Sequence, residues 1–274
     1  MDLTVEATDD ANEVVEKADA FLASDPVMHN LVRTLLAARV AAPEPGRYWM
    51  VRAGDDVVGV VFLSPLDFAA TMTPMPAEAV AAVVTAIADS GVRLPGIHGD
   101  AATAARFAGQ WTEMVGVGAF PTSGMRVYEL HTVVLPSVEG RLRVATPAEH
   151  DLLVEWVTAF QVEVGDGPTL DIEALVARRT AAGEMWVWDT GEAVSIAAAS
   201  TPLDGVSRIA FVYTPPERRG TGYASGCVAA LSQRLLDEGH RPMLYTDLGN
   251  PVSNSIYRRM GYRAAGECLR YRFG

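Results

Sequence analysis

Cysteine is scarce in this chain of 274 residues. Its two cysteines, Cys227 and Cys268, are too few for a disulfide framework and suit a reducing compartment. Five histidines (His29, His98, His131, His150 and His240) are scattered without ligand spacing, so the sequence predicts no metal site. Long apolar runs are missing too. The alanine- and valine-rich stretch 79–88 is short and bounded by Glu78 and Asp89, which rules it out as a membrane span. The opening Met-Asp-Leu-Thr-Val-Glu lacks the basic start and apolar core of a signal peptide. These absences lead to the expectation of a cytoplasmic protein with no membrane partner. Positive charge is in deficit: 22 Lys and Arg stand against 34 Asp and Glu, a net charge of −12. That balance argues against nucleic acid or an anionic membrane as a ligand.

What is present is ordinary globular material, 49% hydrophobic and 20% charged, enough for one large or two medium domains. The most informative stretch runs from Ser207 to Tyr262. An apolar run at 208–213 is stopped by Pro215 and Pro216 and predicts a strand. Arg218, Arg219, Gly220, Thr221 and Gly222 then form a basic, glycine-bearing turn on an otherwise acidic protein. A helix is predicted from about Tyr223 to Glu238, with Val228, Leu231 and Leu235 on one stripe and Gly239 as its stop. Glycines remove Cβ atoms, so several backbone N–H groups can face one anion, and the helix N-terminus adds its positive end. Two arginines add charge and fork geometry suited to phosphate oxygens. The design is that of a diphosphate cradle.

A plain solvated turn is the bland alternative. A dinucleotide site is another, since Gly220, Gly222 and Gly226 fit a loose G-x-G-x-x-x-G with Asp247 ending the next strand. Too little chain follows Asp247 for the further βαβ units that such a sheet requires. The third reading is a resemblance. Arg219-Gly-Thr-Gly-Tyr-Ala224 matches the R/Q-x-x-G-x-G/A acetyl-CoA motif of the GNAT acyltransferase superfamily. Asn250-Pro-Val-Ser-Asn254-Ser-Ile-Tyr257-Arg-Arg-Met-Gly261-Tyr262 resembles the family's second cofactor segment. The two occur in the family's order, one helix and one strand apart.

Taken with the resemblance, the rest of the chain reads as two GNAT-like domains: a degenerate one at 1–136 and a complete one at 141–274, joined by the turn-rich Leu135-Pro-Ser-Val-Glu-Gly140. Both halves carry helices followed by a tryptophan-bearing hairpin, at 48–61 and 185–197, which suggests an internal duplication. The expected fold class is α/β (α+β): tandem domains, each a mixed, mostly antiparallel sheet flanked by helices, with splayed central strands in the C-terminal domain. At the cradle position the first half has Thr73-Pro-Met-Pro76, whose prolines delete amide donors. That half is expected to bind no cofactor.

The resemblance implies an acetyl-CoA-dependent N-acetyltransferase, with an amine of a small molecule or peptide attacking the thioester directly. Phe211, Val212 and Tyr213 would bond the pantetheine arm along the strand. Arg218, Arg219, Gly220, Thr221, Gly222, Tyr223 and Ala224 would hold the diphosphate side. Asn250, Ser253, Asn254 and Tyr257 would complete the cofactor site, with Tyr257 matching the family tyrosine that protonates the leaving thiolate. A phenol of ordinary pKa near 10 suits that task. No acid stands on strand 208–213, where many relatives carry a glutamate, so Glu163 and Asp166 are the candidates for a base, with Glu184 and Asp247 behind them. The acidic composition favours a cationic acceptor, and a monomer or homodimer is expected. A non-catalytic acyl-CoA-binding regulator remains the alternative, motivated by the missing strand glutamate.

Overall fold

The computed structural model describes residues 3–164 and 171–274. In chain order the first elements are β1 (Leu3–Thr8), α1 (Ala11–Ser24), α2 (Asn30–Ala41), β2 (Arg47–Ala53), β3 (Asp56–Leu63), β4 (Ala70–Met72), α3 (Ala77–Asp89), β5 (Gly96–Asp100), α4 (Ala101–Val115) and β6 (Ala119–Glu129). They are followed by β7 (Arg141–Val144), α5 (His150–Val164), α6 (Ile172–Ala181), β8 (Met185–Asp189), β9 (Ala193–Ala199), β10 (Val206–Tyr213), α7 (Tyr223–Asp237), β11 (Arg241–Asp247), α8 (Pro251–Arg259) and β12 (Arg263–Phe273). Among the described residues no helix is long and apolar enough to cross a membrane.

Two compact units result, neither continuous in sequence. The first comprises Met1–Val127, Thr246–Asn250 and Ala264–Gly274; the second comprises Tyr128–Tyr245 and Pro251–Arg263. In the first unit the strands lie in the order β1-β2-β3-β4-β5-β12-β6. Pairing is antiparallel from β1 to β4 and between β5 and β12, and parallel between β4 and β5. Strand β2 shows why the sheet is covered on both faces. Tyr48 and Met50 join Val14, Leu22 and Leu36 of α1 and α2, while Trp49 and Val51 join the α3 and α4 residues Val80, Ile87 and Phe107. Alternation along a strand sends neighbours to opposite faces, so an unbroken apolar run requires helices on both.

The C-terminal strand departs from expectation. The sequence predicts two short strands, 262–265 and 268–273; the structure has one, β12. Gly266 lies where a Cβ would come within 2.7 Å of the Met28 methyl, so this glycine makes room for a side chain and does not break the strand. At the first-half counterpart of the cradle, Thr73 is fully buried and its Oγ1 accepts from Val60 N at 3.0 Å. Met75 packs against Gly59, where an added Cβ would meet its methyl at 2.8 Å.

The second unit orders its strands β11-β10-β9-β8-β7, with β10 and β11 parallel and the remaining pairs antiparallel. One face packs Trp186, Ile209 and Leu244 against Val228, Leu231 and Leu235 of α7. The other packs Val187, Ile196 and Tyr213 against Leu153, Trp156 and Val176 of α5 and α6. A short 3₁₀ turn at Pro147–Glu149 leads into α5 through a capping box of Thr146 and Glu149. Arg143 secures that corner, donating to Glu149 at 2.7 and 2.9 Å and to Asp189 at 2.8 Å.

The hydrogen bond from Arg143 holds the Glu149 carboxyl at about 2, below its ordinary 4.5. A depressed carboxylate pKa stabilises the fold above the unfolded value, and that contribution disappears as pH falls from about 4.5 towards 2. Glu149→Gln should therefore lower stability at neutral pH by about 1–2 kcal/mol, the usual worth of such a cap. Thermal melts across pH check this: the gap between variant and wild type should close in strong acid. A gap independent of pH would remove the ion pair from the explanation.

Candidate functional site

The site begins on β10. Its parallel register with β11 runs from Val206↔Arg241 to Ile209↔Leu244 and goes no further, although β10 continues to Tyr213. On its other edge, Ala210 pairs with Ala198 and Tyr213 with Ile196, so β10 spends one more residue than β9 over that span. This is a β-bulge, and Phe211 absorbs it at φ +51°, a left-handed conformation that non-glycine residues rarely adopt. The bulge turns the end of β10 away from its parallel neighbour and opens the splay expected for this half. Ser195 Oγ donates to Tyr213 O at 2.9 Å and fixes the strand end.

Beyond the strand, a 3₁₀ turn at Pro216–Arg218 leads to Gly220 and Gly222, at φ +81° and +87°. Gly222 is the N-cap of α7. No side chain at either position could take that backbone without strain. Among the described residues, none accepts a hydrogen bond from the backbone N–H groups of Gly220, Thr221, Gly222, Tyr223, Ala224 or Ser225; the first helical bond recorded is Gly226 N to Gly222 O at 2.9 Å. A run of unanswered amides at a helix start is an anion site ready for use. The residues fit a diphosphate.

The arginines beside it are engaged with carboxylates. Arg218 contacts Glu192, and Arg219 reaches Glu163 at 2.6 Å while its Nε donates to Thr214 O at 2.8 Å. The hydrogen bond to Glu163 raises the Arg219 pKa. Both members of that pair are nearly half exposed, so it is weak and open to exchange. Thr221 Oγ1 donates to Arg218 O at 2.8 Å and braces the turn. The Arg219 guanidinium also lies 5.6 Å from the centre of the Tyr213 ring.

Helix α8 supplies the second half of the motif within this unit. It begins at Pro251, as a proline at the first helical position predicts. Asn254 is buried, and its Oδ1 accepts from the Tyr128 hydroxyl at 3.1 Å. Its side chain thus braces a neighbouring tyrosine, where the sequence predicts a cofactor contact. Ser253 is half-buried. Tyr257 stands in a group of three aromatic rings, 6.3 Å from Tyr128 and 5.7 Å from Tyr262. Burial pushes its phenol up to about 12, while part of its surface stays open. Asn250 belongs to the first unit, where its amide donates to Asp247 O at 3.1 Å.

The candidate bases fare unevenly. Glu163, at the end of α5, is bound to Arg219. Glu184 Oε1 accepts from Thr201 N and Oγ1 at 3.0 and 2.8 Å. Asp247 Oδ1 accepts from Gly249 N at 2.6 Å. Asp166 lies outside the described residues. Two further residues were not singled out from sequence: Arg208, on β10, and Arg179, on α6, whose guanidinium sits 5.1 Å from the Phe211 ring. An arginine inside the apolar run 206–213 was the available signal.

The fold defines a class: the chain carries the GNAT acetyltransferase fold in tandem. Residues 189–271 match the model of the family described as FR47-like protein. Over 94% of its length the chain is 25% identical to a mycothiol acetyltransferase of Thermobispora bispora, itself covered to 94%. Among solved structures, a GNAT-family acetyltransferase from Colwellia psychrerythraea aligns over 99% of this chain and all of its own, at TM-score 0.66 and 12% identity. A GCN5-related N-acetyltransferase from Sphaerobacter thermophilus aligns over 98% of this chain and 95% of its own, at 0.64 and 15%. A tandem GNAT protein from the clavulanic acid biosynthesis pathway covers 98% of each chain at 0.55 and 14%.

Proposed function

We propose that this protein is an acetyl-CoA-dependent N-acetyltransferase acting on the amine of a small molecule or peptide. One observation carries the reading: the unanswered amides of Gly220 to Ser225, beside Arg218 and Arg219, directly follow the bulged end of β10. Bound acetyl-CoA would supply an activated acetyl thioester. The glycine turn and the two arginines would hold its diphosphate, the arginines trading their carboxylate partners for phosphate oxygens. The backbone of Phe211, Val212 and Tyr213 would line the arm, with Thr221, Tyr223, Ala224 and Ser253 around it. Tyr257 keeps a proton on its hydroxyl at neutral pH and stands as the proton source for the leaving sulfur. The similarity to a mycothiol acetyltransferase supports acyl transfer; we do not extend that relative's acceptor to this chain. We further propose residues 1–136 as a degenerate partner domain that holds no cofactor.

A calorimetric titration with acetyl-CoA tests this, with wild type beside Arg219→Glu. The variant replaces a cation by an anion at the diphosphate, and its affinity should fall at least 100-fold, the worth of about two charge-assisted hydrogen bonds. Wild-type turnover is then followed as free thiol across an amine panel. Equal binding by both proteins would detach the cradle from the cofactor. Binding without turnover on every amine would favour the non-catalytic reading, which the absence of an acid from β10 supports.

A further inference from the structure

Arg208, partly exposed on β10, and Arg179, largely buried on α6, are two cations of the second unit that the fold does not fully answer. Ile209 packs into the α7 core, and Ala210 pairs with Ala198 of the α5–α6 core. Alternation therefore puts Arg208 on the α5–α6 face of β10. Among the described residues its guanidinium has no carboxylate partner and donates no hydrogen bond; Tyr245 is the one group whose charge would favour it. Arg179 comes to the same face from α6 and is 13% exposed. Among the described residues no acceptor answers its buried Nε and Nη1. The nearest carboxylate, Glu184 Oε2, is 3.7 Å from Nη1, and the other oxygen of that carboxylate is taken by Thr201. Burial pushes both arginines below their ordinary pKa, and Arg208 lowers Arg179 further. Among the described residues one carboxylate, that of Glu184, stands beside these two guanidinium groups.

Position gives this surplus charge a meaning. Arg179 sits against the ring of Phe211, the residue that forms the bulge where β10 leaves β11. The proposed transfer chemistry would take place at that opening. A largely buried cation short of acceptors, as Arg179 is, weighs against the fold, and a bound anion would offset that cost. Guanidinium forks match the paired oxygens of carboxylate and phosphate.

We infer that Arg208 and Arg179 together hold an oxyanion of the acyl acceptor, so that the substrate is an acidic amine carrying a carboxylate or a phosphate. This rests on the proposed acetyl transfer and deepens it. It also reverses the expectation drawn from overall charge: the protein is acidic as a whole, yet this face of the site is cationic.

The test uses matched probes on the full chain: L-amino acids against their C-terminal amides, and glucosamine 6-phosphate and phosphoethanolamine against glucosamine and ethanolamine. Binding to protein saturated with coenzyme A is read by calorimetry, and turnover by thiol release. The acidic member of at least one pair should bind and react about 10-fold or more better than its uncharged twin, a charge-assisted pair being worth that much. The two arms separate a carboxylate from a phosphate. Arg208→Gln and Arg179→Gln should each abolish the preference while keeping wild-type affinity for acetyl-CoA. They should melt no lower than wild type, because each removes a poorly compensated charge. Equal handling of both twins overturns the inference, as does a preference that survives both substitutions or a complete lack of binding by the acidic probes. So does a variant that melts several degrees lower, which would make the arginine structural. Failure of the wild type to bind acetyl-CoA would strike the transfer reading instead. The oxyanion site is then judged by the same probes on the free protein, wild type against Arg208→Gln.

Discussion

Gly222→Val should leave the protein folded and reduce its affinity for acetyl-CoA by more than 100-fold. Two independent effects act at this position. Its φ of +87° is strained for any residue with a Cβ, and more so for a β-branched one. An added Cβ would also come within 3.1 Å of Val138 Cγ2, so that side chain would have to give by a few tenths of an ångström. Relief of that strain rotates the peptides on either side of Gly222, and with them the amides aimed at the proposed diphosphate. Loss of two charge-assisted hydrogen bonds removes about 3 kcal/mol or more, a factor above 100. Gly220→Ala is the graded control, because its Cβ would meet nothing within 4 Å. There only the strain at φ +81° remains, and a milder loss is expected. Calorimetry on the three proteins, with thermal melts to exclude unfolding, decides the matter. Wild-type affinity in Gly222→Val would show that the N-terminal turn of α7 does not hold the cofactor.

The parts of this architecture written in short-range chemistry were legible in the sequence. The turn at 218–222 announces itself through glycines and prolines, and α3 and α7 through apolar periodicity bounded by Pro76 and Gly239. The Thr146–Glu149 box predicts a helix start because both of its hydrogen bonds are local. What depends on distant contacts was not legible. Strand β1 has little more than Leu3 and Val5 to declare itself, and it exists because β2 offers it an edge. Pro26 reads as a helix start, yet α2 begins at Asn30, because Asp25 to His29 close a turn of their own, with His29 N donating to Asp25 O at 2.9 Å.

The site divides in the same way. Its glycines, arginines and Tyr257 could be picked out by residue type and spacing. Nothing in a phenylalanine side chain forecasts the left-handed backbone of Phe211, which follows from the register that β9 imposes on β10. Sequence singled out Glu163 as a candidate base, and only the fold shows that its carboxylate lies on Arg219, a partner 56 positions away. Arg208 was visible all along as a charge inside an apolar strand. That no described residue accepts a hydrogen bond from its guanidinium could be learned only from its three-dimensional neighbours.

Tyr257→Phe should lower kcat for acetyl transfer by about 10²–10⁴-fold, the usual worth of a positioned general acid, at unchanged acetyl-CoA affinity. Three tyrosines meet at this place, and two have spent their hydroxyls: Tyr128 donates to Asn254, and Tyr262 shares a 2.7 Å hydrogen bond with Ser232. Among the described residues no partner takes the hydroxyl of Tyr257, so it alone is available to a reacting atom. Burial disfavours the phenolate and raises the pKa to about 12. The proton is therefore held across the whole neutral and mildly alkaline range, and this group should produce no alkaline limb in kcat below about pH 10, its ordinary value. Phenylalanine preserves both ring contacts and removes only an unpaired hydroxyl, so stability should scarcely change. A pH–rate profile of both proteins, with melts alongside, separates the roles. A variant with wild-type kcat would assign the ring to packing and proton delivery to water, whereas a lowered kcat at constant melting temperature and cofactor affinity would assign the proton to Tyr257.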